Sequence, residues 1–261
     1  MAVTSKTGIV DAISAVEQQG GTAGVSLITP TGERFSHNGS RAFHSASTVK
    51  IPVMVEIFRQ IERDELDHSD IIVLTDEDRT PGSGVLTHMH EGLQITLDDL
   101  LYLMISISDN SATNMLVDLA SLEGINATMV DLGMAASSMN RRMLGRTPRE
   151  DEPENWATPD DYAAAMLAIV KDTAAAPESC ALMRDLLAKQ QNTRRISRHL
   201  PEGTRWGSKT GSLPGFVNDV GFITTGAGTL VIACYLEGVE EDTGEAAIAG
   251  IAKAAYDACF G

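Results

Sequence analysis

Aromatic residues are scarce in this chain, 5% of 261 positions, which leaves little with which to stack nucleobases. Cysteine is scarcer. Cys180, Cys234 and Cys259 are an odd number with no C-x-x-C pair, so neither a disulfide framework nor a zinc knuckle is expected, and all three read as small buried apolar residues. Positive charge is in deficit: 20 Lys and Arg against 36 Asp and Glu give a formal net charge of −16. A chain this acidic repels phosphate backbones and anionic lipid, which excludes nucleic acid and membrane surfaces as expected partners. Apolar runs of membrane-spanning length are missing. The opening MAVTSKTGIVDAISAVEQQG lacks the basic start and apolar stretch of a signal peptide. The chain as written is therefore expected in the cytoplasm; a periplasmic or secreted protein whose signal had been removed would read the same. Six histidines show no metal spacing beyond His88-Met89-His90, and no metal or cofactor is expected.

Apolar residues make up 43% of the chain, enough for a sizeable core. Ile9, Ile13 and Val16 mark an amphipathic first helix. Residues 23–29 read as a strand, followed by turn chemistry at 30–33 and a short second strand. From Ser45 to Glu62 the period is helical, with Val49, Val53, Ile57 and Ile61 every four residues and Pro52 near the start. Residues 78–86 are a loop, and helices are predicted over 96–106, 109–120 and 123–132. The first of these opens T-L-D-D, an N-cap followed by acidic first-turn residues. Residues 145–158 are polar and rich in proline and read as a loop; helices follow at 159–171 and 178–190. Strands return near 205–210, 216–224 and 228–236 before an alanine-rich helix over 243–258. This order predicts an α+β fold, a three-layer αβα sandwich in which both termini build one sheet and a helical block is inserted between them. Residues 1–45 and 195–261 would form the sheet lobe and 46–194 the mainly helical lobe, one catalytic unit with its site between them.

Three short motifs carry chemistry. In Ser47-Thr48-Val49-Lys50 the serine and lysine are one helical turn apart and share a face. A desolvated lysine can take the proton of a serine hydroxyl, and a helix N-terminus favours a developing oxyanion. In Ser108-Asp109-Asn110, Ser108 can relay a proton to a leaving nitrogen and Asn110 can donate to a substrate carbonyl. In Lys209-Thr210-Gly211, Lys209 offers charge to a carboxylate, Thr210 a hydroxyl, and Gly211 room for substrate against a strand edge. Alone, each reads more simply as a helix start, a helix cap or a strand end. Together they stand in one order, separated by roughly sixty and one hundred residues, and this is the signature set of penicillin-recognising serine enzymes.

The chain resembles the class A β-lactamases over nearly its whole length. FHSASTVKIPVMVEIF is similar to the family's nucleophile helix, LLYLMISISDNSATNMLVDL to its central helical hairpin, and RWGSKTG to the strand edging its active site. The resemblance implies a five-stranded antiparallel sheet with flanking helices and an all-helical lobe. It implies acylation of Ser47, with Lys50 as proton partner, Ser108 as proton donor to the departing nitrogen, and Asn110 holding the acyl-side amide. Lys209 and Thr210 would bind the substrate carboxylate, and the backbone N–H groups of Ser47 and Ser212 would form the oxyanion hole. The expected partner is a small molecule, a β-lactam or related amide or ester bearing a carboxylate, met by a monomer, with β-lactam breakdown and antibiotic resistance as the function class.

Two departures qualify that reading. Class A enzymes carry a loop glutamate four residues before an asparagine, and the pair holds the deacylating water. Here Glu152-Pro153-Glu154-Asn155 sets the asparagine three residues after Glu152, in a shortened loop. Glu152 is the candidate base; Glu154, Glu150 and Asp151 are the other carboxylates of the run that could serve, and otherwise no loop carboxylate reaches the water. No arginine follows K-T-G between Ser212 and Asn218; Arg195, in RRISRHLP, is expected to take its place at the substrate carboxylate. A β-lactamase-fold esterase, a D-peptidase or amidase, and a sensor that stays acylated remain as alternatives, because fold does not set substrate.

Overall fold

The structure, a computed structural model, describes residues 3–261. Helix α1 (Val3–Gln18) leads into strands β1 (Thr22–Ile28), β2 (Arg34–His37) and the two-residue β3 (Phe43–His44). A 3₁₀ turn over Ala46–Val49 then runs directly into α2 (Lys50–Glu62). Strands β4 (Ile71–Val73) and β5 (Gln94–Thr96) precede α3 (Leu97–Ser106), α4 (Asn110–Ala120) and α5 (Leu122–Asp131). After β6 (Trp156–Ala157) come α6 (Pro159–Val170), α7 (Pro177–Leu187), β7 (Arg205–Leu213), β8 (Phe216–Thr225), β9 (Gly228–Glu237) and α8 (Glu241–Phe260). Among the described residues no helix is long and apolar enough to cross a membrane.

One five-stranded sheet, in the order β2-β1-β9-β8-β7 and antiparallel throughout, joins the two ends of the chain. Its central strand β9 is buried on both faces, and the period of two sorts its side chains. Leu230, Ile232, Cys234 and Leu236 face one way, into the cluster built by Ile9, Ile13 and Val16 of α1 and Ile248, Ile251 and Ala252 of α8. Val231, Ala233 and Tyr235 face the other way, into the core shared with the helical elements. The result is the expected α+β sandwich, helices on each face of the sheet.

Helix α2 runs through the helical core. Every residue from Lys50 to Phe58 is buried, so the helix is enclosed on all sides rather than amphipathic. That burial sets the environment of Lys50. The expected cap holds: Thr96 accepts from Asp99 N at the start of α3. Asp109, Ser121 and Thr158 cap α4, α5 and α6 in the same way. The pairs β3–β6 and β4–β5 have no counterpart in the sequence reading, since ladders of two or three residues carry too little periodicity. The first matters to the site, because His44 pairs with Trp156 and so ties the end of the 145–158 loop close to Ser47. Cys180 and Cys234 are buried as expected, whereas Cys259 is only half-buried; all three are free.

Candidate active site

Ser47 sits in the 3₁₀ turn, half-buried, with Lys50 three residues on at the first position of α2. In a 3₁₀ turn, residues three apart eclipse one another, so the two side chains leave the backbone on one side. The turn is held in an unusual shape. Ala46, just before the serine, has φ of 46°, a left-handed conformation that an L-residue adopts only when its surroundings impose it. Those surroundings are hydrogen bonds: Ser45 N donates to Asn155 O at 3.0 Å, Thr48 Oγ1 donates to Ser45 O at 2.7 Å, and Asn218 Nδ2 donates to His44 O at 2.9 Å. Strand β7 closes the other side. A Cβ on Gly211 would lie 3.1 Å from Ser47 N and from Ser45 O, so glycine permits that approach.

The Lys50 ammonium is fully buried. Its Nζ donates to Ser108 O at 2.7 Å, Ser108 Oγ at 3.0 Å and Asn110 Oδ1 at 2.9 Å. Burial, joined by the nearby charge of Lys209, lowers its pKa well below the usual lysine value, against a smaller opposing pull from Asp109. Ser108 itself has φ of 61°, a second left-handed residue at the site. Asp109, between the two residues singled out by sequence, is the helix cap the motif allowed and also takes a second role that sequence reasoning did not assign. Its Oδ1 accepts from Ala112 N at 2.9 Å, and its Oδ2 accepts from Val85 N at 2.6 Å and Leu86 N at 2.9 Å. It thereby caps α4 and anchors the 78–86 loop. Asn110 Nδ2 donates to Pro81 O at 2.9 Å in the same loop.

Lys209 is also fully buried, its Nζ donating to Thr210 O at 2.8 Å. Burial lowers its pKa to about 7; Asp219 pulls it up and Arg195 pushes it down by less. Arg195 is 1% exposed, with every guanidinium donor engaged. Nε reaches Glu245 at 3.2 Å, Nη1 reaches Gly211 O at 3.0 Å and Asn218 O at 2.7 Å, and Nη2 reaches Ser212 Oγ at 2.6 Å and Glu241 at 3.4 Å.

The clusters converge on two adjoining cavities. One, of about 630 Å³, is lined by Ser47, Ser108, Thr210, Ser212, Arg195 and Glu241 among others. The second, of about 440 Å³, shares Ser47 and Ser212 and adds Asn110, Glu154 and Asn155. Lys50 and Lys209 lie buried beneath these walls.

The loop carboxylates divide. Glu152, the candidate base, is not among the residues lining either cavity. Arg146 grips both its oxygens, at 2.6 and 2.7 Å, and Arg149 N donates to it at 2.8 Å. These bonds bring its pKa down to about 2. Glu154 lines the second cavity instead. Its Oε1 accepts from Arg141 Nη2 and from Asn155 N, both at 2.6 Å, and its Oε2 meets His44 Nδ1 at 2.8 Å. The signal that could have singled it out is its place directly before Asn155, which the short loop makes the closer neighbour. Asn218, which steadies the nucleophile turn, left no trace in the sequence.

A model of the β-lactamase enzyme family matches residues 8–259. The chain belongs to that family. This β-lactamase-family protein is 54% identical to a β-lactamase from Sphaerobacter thermophilus of known crystal structure, with a TM-score of 0.94 over 97% of this chain and 96% of that one. It is 25% identical over 192 residues to the β-lactamase BRO-1 of Moraxella catarrhalis, a match over 72% of this chain and only 61% of that protein's length. PBP-A shares the fold at 24% identity, with a TM-score of 0.88 over 97% of this chain and 95% of that one. The family match and the 54% identical β-lactamase make this protein a serine hydrolase of the β-lactamase family.

Proposed function

We propose that this β-lactamase-family protein, acting as a monomer on small molecules, opens β-lactam rings by acyl transfer to Ser47 and releases the product slowly. The observation that carries the reading is the buried Lys50 amine, held against Ser108 and Asn110 on the one side and one turn from Ser47 on the other. Its lowered pKa favours giving up one of the three protons it shares with Ser108 and Asn110, and the neutral amine can then accept the Ser47 proton. Ser47 Oγ then bonds to the lactam carbonyl carbon, and the oxyanion that forms is met by the N–H groups of Ser47 and Ser212. As the C–N bond breaks, the proton passes from Lys50 through Ser108 Oγ to the ring nitrogen. Asn110 spends one amide hydrogen on Pro81 O, which leaves the other for the acyl-side carbonyl. Thr210, Ser212 and the charges of Lys209 and Arg195 receive the substrate carboxylate. The 54% identity to a β-lactamase supports hydrolysis as the outcome.

Release of the acyl group needs a water and a base. Glu154 is the loop carboxylate on the cavity wall, and Arg141, Asn155 N and His44 already occupy both its oxygens, which leaves little of it free to take hold of a water. Glu152 is tied more firmly, by a bidentate arginine. Deacylation is then the slow step. A second reading, an acylated sensor, rests on the same two engaged glutamates. Intact-mass spectrometry with benzylpenicillin tests both. The expected result is a penicilloyl adduct that forms fast, clears slowly, is absent from Ser47→Ala and lasts longer in Glu154→Gln than in Glu152→Gln. An adduct in Ser47→Ala overturns the mechanism; an adduct that never clears replaces hydrolysis with the sensor reading.

A further inference from the structure

Arg195 is more than neutralised. Glu245, 1% exposed, takes Nε, and two backbone carbonyls take Nη1. Only Nη2 faces the cavity, and there it is shared between Ser212 Oγ and the carboxylate of Glu241 at 3.4 Å. Ser212 Oγ in turn lies 3.3 Å from the same Glu241 oxygen. Glu241 stands in the first turn of α8, and its side chain is 58% exposed on the cavity wall that also carries Ser47. The surrounding charges do not offset it. Arg194 pairs with Glu245 at 3.0 Å and reaches Asp242 at 3.9 Å, so two guanidiniums stand among three carboxylates.

We propose that Glu241 is a specificity-determining residue, a tethered carboxylate that occupies the Arg195–Ser212 anion position and biases the cleft against substrates bearing a carboxylate there. The inference rests on the proposed β-lactam reading and names the preference within it. An incoming carboxylate must take the place of the Glu241 oxygen on Nη2 and on Ser212 Oγ. The long contacts and the exposure of Glu241 let it swing aside, but its charge stays within a few ångströms of the newcomer. Two like charges at that range in a water-filled mouth weaken binding about fivefold. A β-lactam that is neutral or cationic at this end escapes the penalty.

Binding to the Ser47→Ala protein isolates the effect from chemistry. Calorimetry is performed with intact benzylpenicillin and with its methyl ester. Adding Glu241→Gln is expected to raise the affinity of the acid relative to the ester about fivefold, and Glu241→Lys to raise it further, with gains that shrink as salt is added. An unchanged ratio in both variants, or no binding in any of them, overturns the inference. Failure of the Ser47 protein to acquire a penicilloyl adduct, with that ratio still shifted, would instead overturn the acyl-transfer mechanism and leave the role of Glu241 standing.

Discussion

Replacing Asp109 by Asn should loosen the site without removing any group that touches substrate. The carboxylate is 1% exposed and accepts three backbone N–H bonds, one on Oδ1 and two on Oδ2. An asparagine keeps a single acceptor oxygen. If that oxygen caps α4, the new NH₂ faces the N–H groups of Val85 and Leu86, donor against donor. Two charge-assisted bonds are then lost, each worth roughly 1.5–3 kcal/mol. Val85 is 40% exposed, so water can recover part of this, and a net loss of about 3 kcal/mol is expected. For a chain of this size that corresponds to a fall in Tm of about 8 °C, read by scanning calorimetry. The same change frees Ser83 and Gly84, where a Cβ on Gly84 would lie 2.3 Å from the Asp109 carboxyl, and lets Ser108 and Asn110 shift. Acylation by benzylpenicillin, followed by intact mass, should slow at least about tenfold, since small misplacements of positioned groups cost orders of magnitude in rate. A Tm within about 2 °C of the parent together with an unchanged acylation rate would refute the anchoring role.

Lys50→Met keeps most of the side-chain volume in the core of α2 and removes the proton acceptor. Acylation should fall about 10²- to 10⁴-fold while the protein stays folded, and a loss under about tenfold would assign the base elsewhere. Lys209, with a pKa of about 7, is charged below that pH and neutral above it. Its attraction for a substrate carboxylate is therefore present in acid and lost as pH rises through about 7. The kcat/KM for a carboxylate-bearing cephalosporin, relative to its methyl ester, should decline across that range; a flat ratio would remove Lys209 charge from recognition.

Much of this protein could be read from the chain itself, and what could be read was local. Ser47 and Lys50 are a turn apart, so their placement on one side of the backbone needs only a helical start. Thr96 caps α3 because its partner is three residues away. The alternation along β9 and the period of α1 specify which faces are apolar whatever packs on them. The order of the three motifs sufficed to raise the chemistry. The choices that only the tertiary structure made lie between residues distant in sequence. Arg146 grips Glu152 because of the path the short loop takes, and that path, not spacing, leaves Glu154 on the cavity wall. Burial of Lys50 and Lys209 depends on elements from both halves of the chain, and with it the lowered pKa that makes an amine a base. Glu241 meets Arg195 across 46 positions, which no local pattern announces. Short-range sterics and periodicity act within a few residues and are written in the order of the letters. Electrostatics and desolvation depend on what is near in space, and only the folded chain decides that.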